Sequence, residues 1–485
     1  MANGGIIGTV NNPTSTTATG VWQQEEQYEA KVTDTWPQRS LSTTKSLRFN
    51  DGSSDYLNRT PSSAFNTDKW TISLWFKRGN LGIDTRLISC DNDNGSNDDY
   101  IRFDSSDQME FMIYEGSSVV GLLKPNRVFR DSSAWMHLVC VWDSANGTAG
   151  NRMRMYINGT EETSFATDTN PSSGANASFG NTSHPIEVGR RGSANNQYFD
   201  GYMAEVISVD GQALAPTSFG STNSDGVWIP AIYTVTYGTS GFNLQFENAA
   251  ALGTDSSPNG NNFTVNNLTS IDQSTDYPEV NFATLNPIIK TYGTQVFSNG
   301  NTTSLNATNE PAWAHTLSTI GVSAGKWYWE IKVSGATPWI WTGVISEAVD
   351  VRTQYLYNEN TGTFLYGNNG NKYLNGSAAS SFFATLATND IASVALDLDN
   401  NKITFYKNGT ATPNATPLDL PANLSSTTVF PATTLVNGAS ISINFGNAPY
   451  AISSGNADGN GYGNFEYAVP SGYYSLNTAN LAEFG

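Results

Sequence analysis

The chain has 485 residues, too many for a single hydrophobic core, so two or three domains are expected. Charged residues make up 14% of it, against roughly 25% in ordinary globular proteins, and aromatic residues make up 12%. The net charge of −19, without a basic stripe, argues against nucleic acid and anionic membranes as partners. No segment approaches the roughly 18 apolar residues of a membrane-spanning helix, so membrane insertion is not expected.

The first segment, residues 1–40, is rich in Gly, Asn and Thr and carries Trp22 and Trp36. A segment of this composition cannot bury a core of its own. It is therefore predicted to be an extended arm that docks either on another protein or on the first domain of the same chain. Residues 1–7 lack the basic and apolar regions of a signal peptide, so secretion is not expected.

Residues 41–220 contain short alternating segments at the spacing of a β-sandwich. One of them ends in Asn158-Gly159, which supplies the two positive-φ residues of a type I′ hairpin turn. Five motifs follow in order: SLRF (46–49), WTISLWF (70–76), WMHLV (135–139), MYING (155–159) and GYMAEV (201–206). This order closely resembles the concanavalin A-like, laminin-G-type jelly roll, which implies an antiparallel β-sandwich.

Both cysteines fall within this predicted jelly roll. Cys140 alternates with Leu138 and Trp142, which predicts a buried thiol that acts as a small apolar group. A single bridge between Cys90 and Cys140 is the alternative. His137 lies in the same strand on the opposite face, and packing is the favoured interpretation because its spacing from the other histidines is not that of metal ligands.

An acidic loop at residues 91–99 is the best candidate metal site. Asp91, Asp93 and Asp98 cluster there with amide side chains, and oxygen ligands of this kind suit Ca²⁺. The loop does not follow the EF-hand pattern, because Gly95 stands at its fifth position. A solvated acidic loop without metal is the favoured reading, and no other cofactor is expected.

Residues 221–300 hold weaker strand signals and are predicted to be a β-rich connector. A second module follows at residues 301–448, carried by the motifs GKWYWE (325–330), ALDLD (395–399) and ITFYKNG (403–409). These resemble the SPRY domain, another β-sandwich, and the last motif contains a second Asn-Gly hairpin. The predicted fold class is thus all-β, with two tandem antiparallel sandwiches preceded by the arm.

The SPRY resemblance implies a binding platform built from variable loops. Trp339 and Trp341 fall in one such region, and Tyr366 and Tyr373 flank an Asn/Gly-rich loop. Exposed aromatic rings of this kind can contact sugars or peptides. These four residues are the candidate ligand-binding residues, and burial of one or both tryptophans in the core is the alternative.

The two ends of the chain carry a further resemblance. GIIGTV (5–10) and GVW (20–22) at the start, and SGY (471–473) and LNT (476–478) in the C-terminal extension 449–485, are similar to the ends of tailed-phage virion proteins. The resemblance implies a homo-oligomeric tail fibre or appendage in the virion. Its arm would bind other virion proteins, and its sandwiches would bind a host-surface glycan or protein.

Two alternatives to this function remain open. One is a capsid decoration or cement protein without a ligand. The other is a glycan depolymerase that uses the jelly roll, since glycoside hydrolases also adopt this fold. Such enzymes need two placed carboxylates, and the family's Glu-x-Asp-x-x-Glu run does not occur in the chain, so no enzymatic activity is expected.

Overall fold

The structure is a computed structural model, and it describes residues 43–92, 95–289, 295–307, 314–335, 339–349, 362–414 and 417–485. Its described elements are almost all strands, and they form two β-sandwiches one after the other along the chain. The predicted all-β class with tandem antiparallel sandwiches is confirmed. The predicted arm, residues 1–40, lies outside the described residues.

Eighteen of the described strands belong to the first half of the molecule. They begin with β1 (Ser46–Phe49), β2 (Tyr56–Arg59), β3 (Lys69–Arg78), β4 (Thr85–Asp91), β5 (Asp98–Phe103) and β6 (Met109–Glu115). Next come β7 (Ser118–Pro125), β8 (Met136–Asp143), β9 (Met153–Ile157), β10 (Thr160–Glu161), β11 (Phe165–Thr169) and β12 (Ile186–Val188). The last six are β13 (Gly201–Asp210), β14 (Gly220–Thr222), β15 (Trp228–Pro230), β16 (Phe242–Leu244), β17 (Thr264–Asn266) and β18 (Gln273–Ser274).

The first sandwich packs two eight-stranded sheets face to face. Sheet 1 has the order β10-β9-β8-β3-β13-β1-β18 with β16 attached to β13, and sheet 2 has the order β11-β7-β6-β5-β4-β12-β2-β17. Because strand residues alternate between faces, β3 sends every second side chain into the core. These are Trp70, Ile72, Leu74 and Phe76. Cys90 on β4 and Cys140 on β8 are free thiols in the same core, so the alternative of a bridge between them is wrong.

The predicted connector, residues 221–300, is largely built into the first sandwich. Strand β16 pairs with β13, β17 pairs with β2, and β18 pairs with β1. The β14–β15 hairpin also belongs to this part of the chain, and it brings Trp228 beside the outer face of sheet 1. The weak strand signals therefore mark short edge strands, whose partners are distant in the sequence.

Fifteen further strands belong mainly to the second sandwich. They begin with β19 (Gln295–Ser298), β20 (Thr303–Asn306), β21 (Ala314–Leu317), β22 (Lys326–Ser334), β23 (Trp339–Ser346), β24 (Thr363–Gly367), β25 (Lys372–Leu374) and β26 (Ser377–Ala379). The others are β27 (Ile391–Asp397), β28 (Lys402–Lys407), β29 (Thr410–Ala411), β30 (Leu418–Asp419), β31 (Val429–Val436), β32 (Ser440–Asn444) and β33 (Tyr474–Ser475). The α-helices among the described residues are α1 (Ala422–Ser425) and α2 (Thr478–Phe484), both short.

Sheet 3 of this sandwich follows the order β19-β20-β32-β22-β27-β28-β29, with β30 on β28 and β33 on β22. Sheet 4 follows the order β21-β31-β23-β24-β25-β26. The C-terminal extension packs on sheet 3 through the parallel pair β22–β33. Buried Glu330 on β22 also accepts backbone N–H groups of Glu466 and Tyr467, at 3.0 and 2.8 Å. The extension is thus part of the second sandwich.

The two Asn-Gly hairpins have the predicted geometry. Asn158 and Gly159 have φ angles of 49° and 78°, and Asn408 and Gly409 have 48° and 75°. Each Asn side chain accepts the backbone N–H of a neighbouring strand, that of His137 at 2.8 Å for Asn158 and that of Ile391 at 2.9 Å for Asn408. The turn residues therefore also join each hairpin to its sheet.

The second sandwich docks on the outer face of sheet 1, where buried polar groups join the two. Arg48 on β1 donates to the carbonyl oxygens of Ile271, Asn447 and Ala448, at 2.8, 3.1 and 3.1 Å. Thr275 Oγ1 also donates to the Gly446 oxygen at 2.8 Å. These bonds hold the segment that follows β32 against the segment after β17.

Candidate functional site

Three aromatic rings form what we call the aromatic tip: Trp339, Trp341 and Tyr373. Trp339 and Trp341 are two residues apart on β23 and so share a face of sheet 4, while Ile340 between them enters the core. The ring centroids of Trp339 and Trp341 are 6.3 Å apart, and those of Trp341 and Tyr373 are 6.0 Å apart. Trp339 is 51% exposed and rests beside two buried rings.

The loop between β24 and β25 completes the aromatic tip. A Cβ on Gly367 would lie 3.0 Å from Trp341 Nε1 and 3.0 Å from Tyr373 Cε2, so glycine is what permits this approach. The side-chain amides of Asn369 and Asn371 donate to the Tyr373 hydroxyl at 3.5 and 3.4 Å. An exposed indole beside uncharged amides can contact a sugar face or an apolar peptide side chain.

Burial corrects part of the predicted ligand-binding set. Tyr366 lies in the core against Phe383 and Phe405, and its hydroxyl donates to the Ala384 carbonyl oxygen. It cannot contact a ligand at the surface. Trp341 and Tyr373 are also buried, so they pack beneath the surface next to Trp339 and do not contact a ligand themselves. The predicted surface is thus narrowed to Trp339 and the amide loop beside it.

The acidic loop places its described carboxylates against arginines. Arg86 donates to Asp98 Oδ1 and Oδ2 at 2.5 and 2.8 Å, and Arg191 Nη2 lies 3.3 Å from Asp98 Oδ2. Asp91 contacts Arg191 Nε at 3.4 Å and the backbone N–H of Ser193 at 3.1 Å. Asp93 lies outside the described residues. Both carboxylates are thus already paired with guanidinium groups, which disfavours the metal site at Asp91 and Asp98.

Charges on the outer face of sheet 2 also pair with one another. The Tyr100 ring lies between Arg86 and Arg102, whose Cζ atoms are 4.2 and 5.0 Å from its centroid. Glu110 accepts from Arg102 Nε at 2.7 Å and from Lys124 Nζ at 3.0 Å. Burial opposes ionisation of Glu110, but these two cations lower its pKa. The face therefore offers little uncompensated charge to a ligand.

A pair of neighbouring carboxyl groups, the buried Asp99 and the half-buried Glu115, is relevant to the depolymerase alternative. Asp99 accepts the backbone N–H groups of Tyr114 and Phe179 at 3.0 and 2.8 Å, and Glu115 accepts that of Ser178 at 2.5 Å. Burial raises the pKa of both groups, and the Glu115 charge adds to the rise at Asp99. Asp99 is enclosed beneath residues 178–179, so a polysaccharide cannot reach it in this conformation.

The buried His137 takes part in packing. Its ring stacks between Trp75 and Trp228, with centroids 4.7 and 6.0 Å away. Trp228 Nε1 donates to His137 Nδ1 at 2.9 Å, so Nε2 carries the proton and donates to Ser73 Oγ at 2.8 Å. Within the described part of the chain, no group of three or more His, Cys, Asp or Glu side chains could hold a metal. The described helices include none with the length and hydropathy needed to cross a bilayer.

Comparison with protein families identifies both modules. The family described as the concanavalin A-like lectin/glucanases superfamily (Laminin_G_3) matches residues 51–216, and the SPRY domain matches residues 326–448. Both domain resemblances are confirmed. The matched segments fall on the two observed sandwiches, and the aromatic tip lies within the SPRY match. No curated protein matches the chain.

Several solved structures are similar to parts of the chain. The SPRY domain of human HERC1 has 19% identity and a TM-score of 0.27, covering 32% of this chain and 93% of that one. The TRIM65 PSpry domain has 16% identity and a TM-score of 0.27, covering 33% and 91%. A heptameric SAP-like pentraxin from Limulus polyphemus has 13% identity and a TM-score of 0.26, covering 37% and 80%.

Proposed function

We propose that this protein is a virion structural protein, a tailed-phage fibre or appendage that binds a host-surface glycan or protein without catalysis. The observation that carries the binding role is Trp339, a large apolar ring left 51% exposed on a rigid base of buried rings. Exposure of such a ring to water is unfavourable. Binding of a ligand that covers the ring is therefore favoured by the free energy of removing its apolar surface from water. The neighbouring amides would set the orientation of the ligand.

Two observations favour recognition over catalysis. Asp99 is buried and Glu115 beside it is half-buried, and the carboxylates on the outer face of sheet 2 are engaged by Arg86, Arg102 and Lys124. A glycoside hydrolase instead needs two accessible carboxyl groups roughly 5–10 Å apart. Incubating the protein with host polysaccharide should therefore produce no new reducing ends. Multiple-turnover release would overturn the non-catalytic role.

The virion assignment rests on the resemblance of both chain ends to tailed-phage virion proteins, together with the two lectin-like modules. A virion displays many copies of each structural protein, so a weak site at each aromatic tip suffices through avidity. Residues 1–40 would provide attachment to other virion proteins. Deletion of residues 1–40 should abolish loading onto particles while both sandwiches stay folded. Normal loading of the truncated protein would overturn the anchoring role.

The binding role is tested with the Trp339→Ala variant on an array of bacterial capsular and O-antigen polysaccharides. Removal of an exposed aromatic anchor should weaken binding about tenfold per site, equivalent to about 1.4 kcal/mol. The matched control is Val227→Ala, because Val227 is 55% exposed but lies far along the chain from the SPRY match. Equal binding by both variants would exclude the aromatic tip as the contact surface.

The virion location has its own test. Purified particles labelled with gold-conjugated antibody against the second sandwich should carry label on the tail or its appendages. Label on the capsid would favour the decoration alternative, and absence of label from particles would overturn the virion assignment. This measurement does not depend on which ligand the protein binds.

A further inference from the structure

A cleft of about 190 Å³ lies where the two sandwiches meet. Its first wall comes from the end of the first sandwich, and its second wall comes from the residues after β32 and from the C-terminal extension. Its lining includes Ser270 and Ile271 on one side, and Asn447, Tyr450, Ala451 and Asn464 on the other. Ser270, Ala451 and Asn464 are exposed, so the cleft opens to solvent at this end.

The two walls are held in place by buried bonds that cross between them. Arg48 donates to the Ile271 oxygen of one wall and to the Asn447 and Ala448 oxygens of the other. Its terminal nitrogens are therefore engaged by carbonyl groups behind the walls. Because the site is formed before a ligand arrives, binding would cost little conformational entropy.

Asn447 belongs to the buried part of the second wall. It is 2% exposed, and its side-chain nitrogen lies 3.5 Å from Asp276 Oδ2 of the first sandwich. This contact adds to the bonds that hold the two walls together.

The lining selects the class of ligand. It contains hydroxyl and amide side chains, a few small apolar groups and the Tyr450 ring, but no Asp, Glu, Lys, Arg or His. An ionic ligand would lose its hydration without gaining a counter-charge. A polyhydroxylated neutral ring matches hydroxyl and amide groups that both donate and accept, and its apolar face can pack on tyrosine. The volume lies below the roughly 300–1,000 Å³ of drug-sized sites, which limits the ligand to about one ring.

We propose that this inter-sandwich cleft binds one uncharged sugar ring, with its hydroxyl and amide lining as hydrogen-bonding groups and Tyr450 as the stacking surface. The site is distinct from the aromatic tip, because Trp339 lies on sheet 4 whereas the second wall follows sheet 3. The two sites would let one protein contact two parts of a branched or extended glycan. The cleft does not depend on Trp339 and can be tested without it.

The test uses saturation-transfer NMR on the full chain with three methyl glycosides, the α-D-glucoside, α-D-galactoside and α-D-mannoside, each at about 10 mM. A one-ring site should give a Kd on the order of 1 mM for at least one of them. Ala451→Trp, a change at the exposed mouth, should weaken that binding at least tenfold by filling the cleft. Ala250→Trp is the matched control, because it adds the same ring at another exposed alanine.

Tyr450→Leu provides a second variant, which keeps an apolar side chain but removes the stacking ring and should also weaken binding. Absence of transfer to all three sugars in the wild-type protein would overturn the cleft proposal. So would equal binding by wild type and Ala451→Trp. Binding lost in Trp339→Ala but kept in Ala451→Trp would overturn the cleft proposal and support the aromatic tip.

Discussion

Nζ of Lys77 lies 2.9 Å from Oδ2 of Asp276, and both side chains are buried where the two sandwiches meet. Lys77 projects from β3 on the outer face of sheet 1, a position that the alternating pattern would assign to solvent. It also donates to Asn281 Oδ1 at 2.7 Å and to the Phe282 oxygen at 2.9 Å. Trp135 Nε1 donates to the second oxygen of Asp276 at 2.7 Å. The ion pair therefore joins the first sandwich to the chain that leads into the second.

Lys77→Met should lower the free energy of unfolding by about 3–5 kcal/mol, because it leaves the Asp276 carboxylate buried without its cation. Urea unfolding followed by tryptophan fluorescence measures the change. Lys69→Met is the control, since the Lys69–Asp143 pair is longer, 3.3 Å, and its lysine is 39% exposed. The control should cost about 0–1 kcal/mol. Similar losses in the two variants would contradict a structural role for the buried pair.

Gly159→Ala should destabilise the protein more than Gly116→Ala, although both glycines occupy hairpin turns of the first sandwich with positive φ. A Cβ on Gly159 would lie 2.6 Å from Trp228 Cζ3, whereas nothing lies within 4 Å of one on Gly116. Both variants incur backbone strain, but Gly159→Ala also overpacks Trp228, at an added cost of about 1–3 kcal/mol. Thermal unfolding of the two variants tests the difference. Equal melting temperatures would show that Trp228 does not rest on the turn.

His137 should remain neutral from pH 8 down to about pH 4, because burial lowers its pKa to about 3. The unfolded chain takes up this proton near pH 6.5, so the associated stability is present above that pH and is lost as the pH falls toward 3. Nitrogen-15 NMR of the imidazole should show the Nε2-protonated tautomer throughout the upper range. A titration of His137 with a midpoint near 6.5 would be incompatible with its place between Trp75 and Trp228.

Glu115→Gln should reduce the loss of stability that accompanies rising pH. Burial raises the pKa of Glu115 and Asp99, so the native state keeps protons that the unfolded chain releases above their ordinary values of 4.5 and 3.8. Stability from this pair is therefore present at low pH and lost as the pH rises through the raised native values. Glutamine can still donate to Asp99 without a proton to lose.

Relative to wild type, Glu115→Gln should gain stability as the pH rises from 4 to 8, because the variant has no carboxyl proton at this position to lose. Urea unfolding at both pH values measures this gain. Glu161→Gln, on the exposed strand β10, is the matched control. Parallel pH curves for wild type and Glu115→Gln would contradict the coupling of the two carboxyl groups.

Sequence reasoning was most successful where the signal is local. Alternation along β8 correctly placed Cys140, Leu138 and Trp142 in the core, since neighbouring strand residues must face opposite ways. The Asn-Gly pairs correctly predicted both hairpins, because that dipeptide accepts positive φ at both positions. Both domain resemblances rested on such local motifs taken in order.

The candidate sites were less predictable because they depend on what covers a strand. Trp339 and Trp341 share one face of β23, yet one is exposed and the other buried, according to which neighbouring segments lie over each ring. Tyr366 lies on the neighbouring strand β24, and its side chain faces the core. Asp91 and Asp98 were candidate metal ligands in the sequence. Their pairing with Arg191 could not be predicted, because Arg191 is about 100 residues away along the chain.

By itself, the sequence determined the strands, the turns, the two sandwich modules and the apolar face of each sheet, because each of these follows from the conformational preferences of adjacent residues. The tertiary structure alone decided how residues 221–300 complete the first sandwich, why Lys77 and Arg48 are buried, and where a cleft opens between the modules. These features depend on long-range packing. The alternation of residues in a strand indicates which face is apolar, but it does not indicate which segment of the chain packs on the other face.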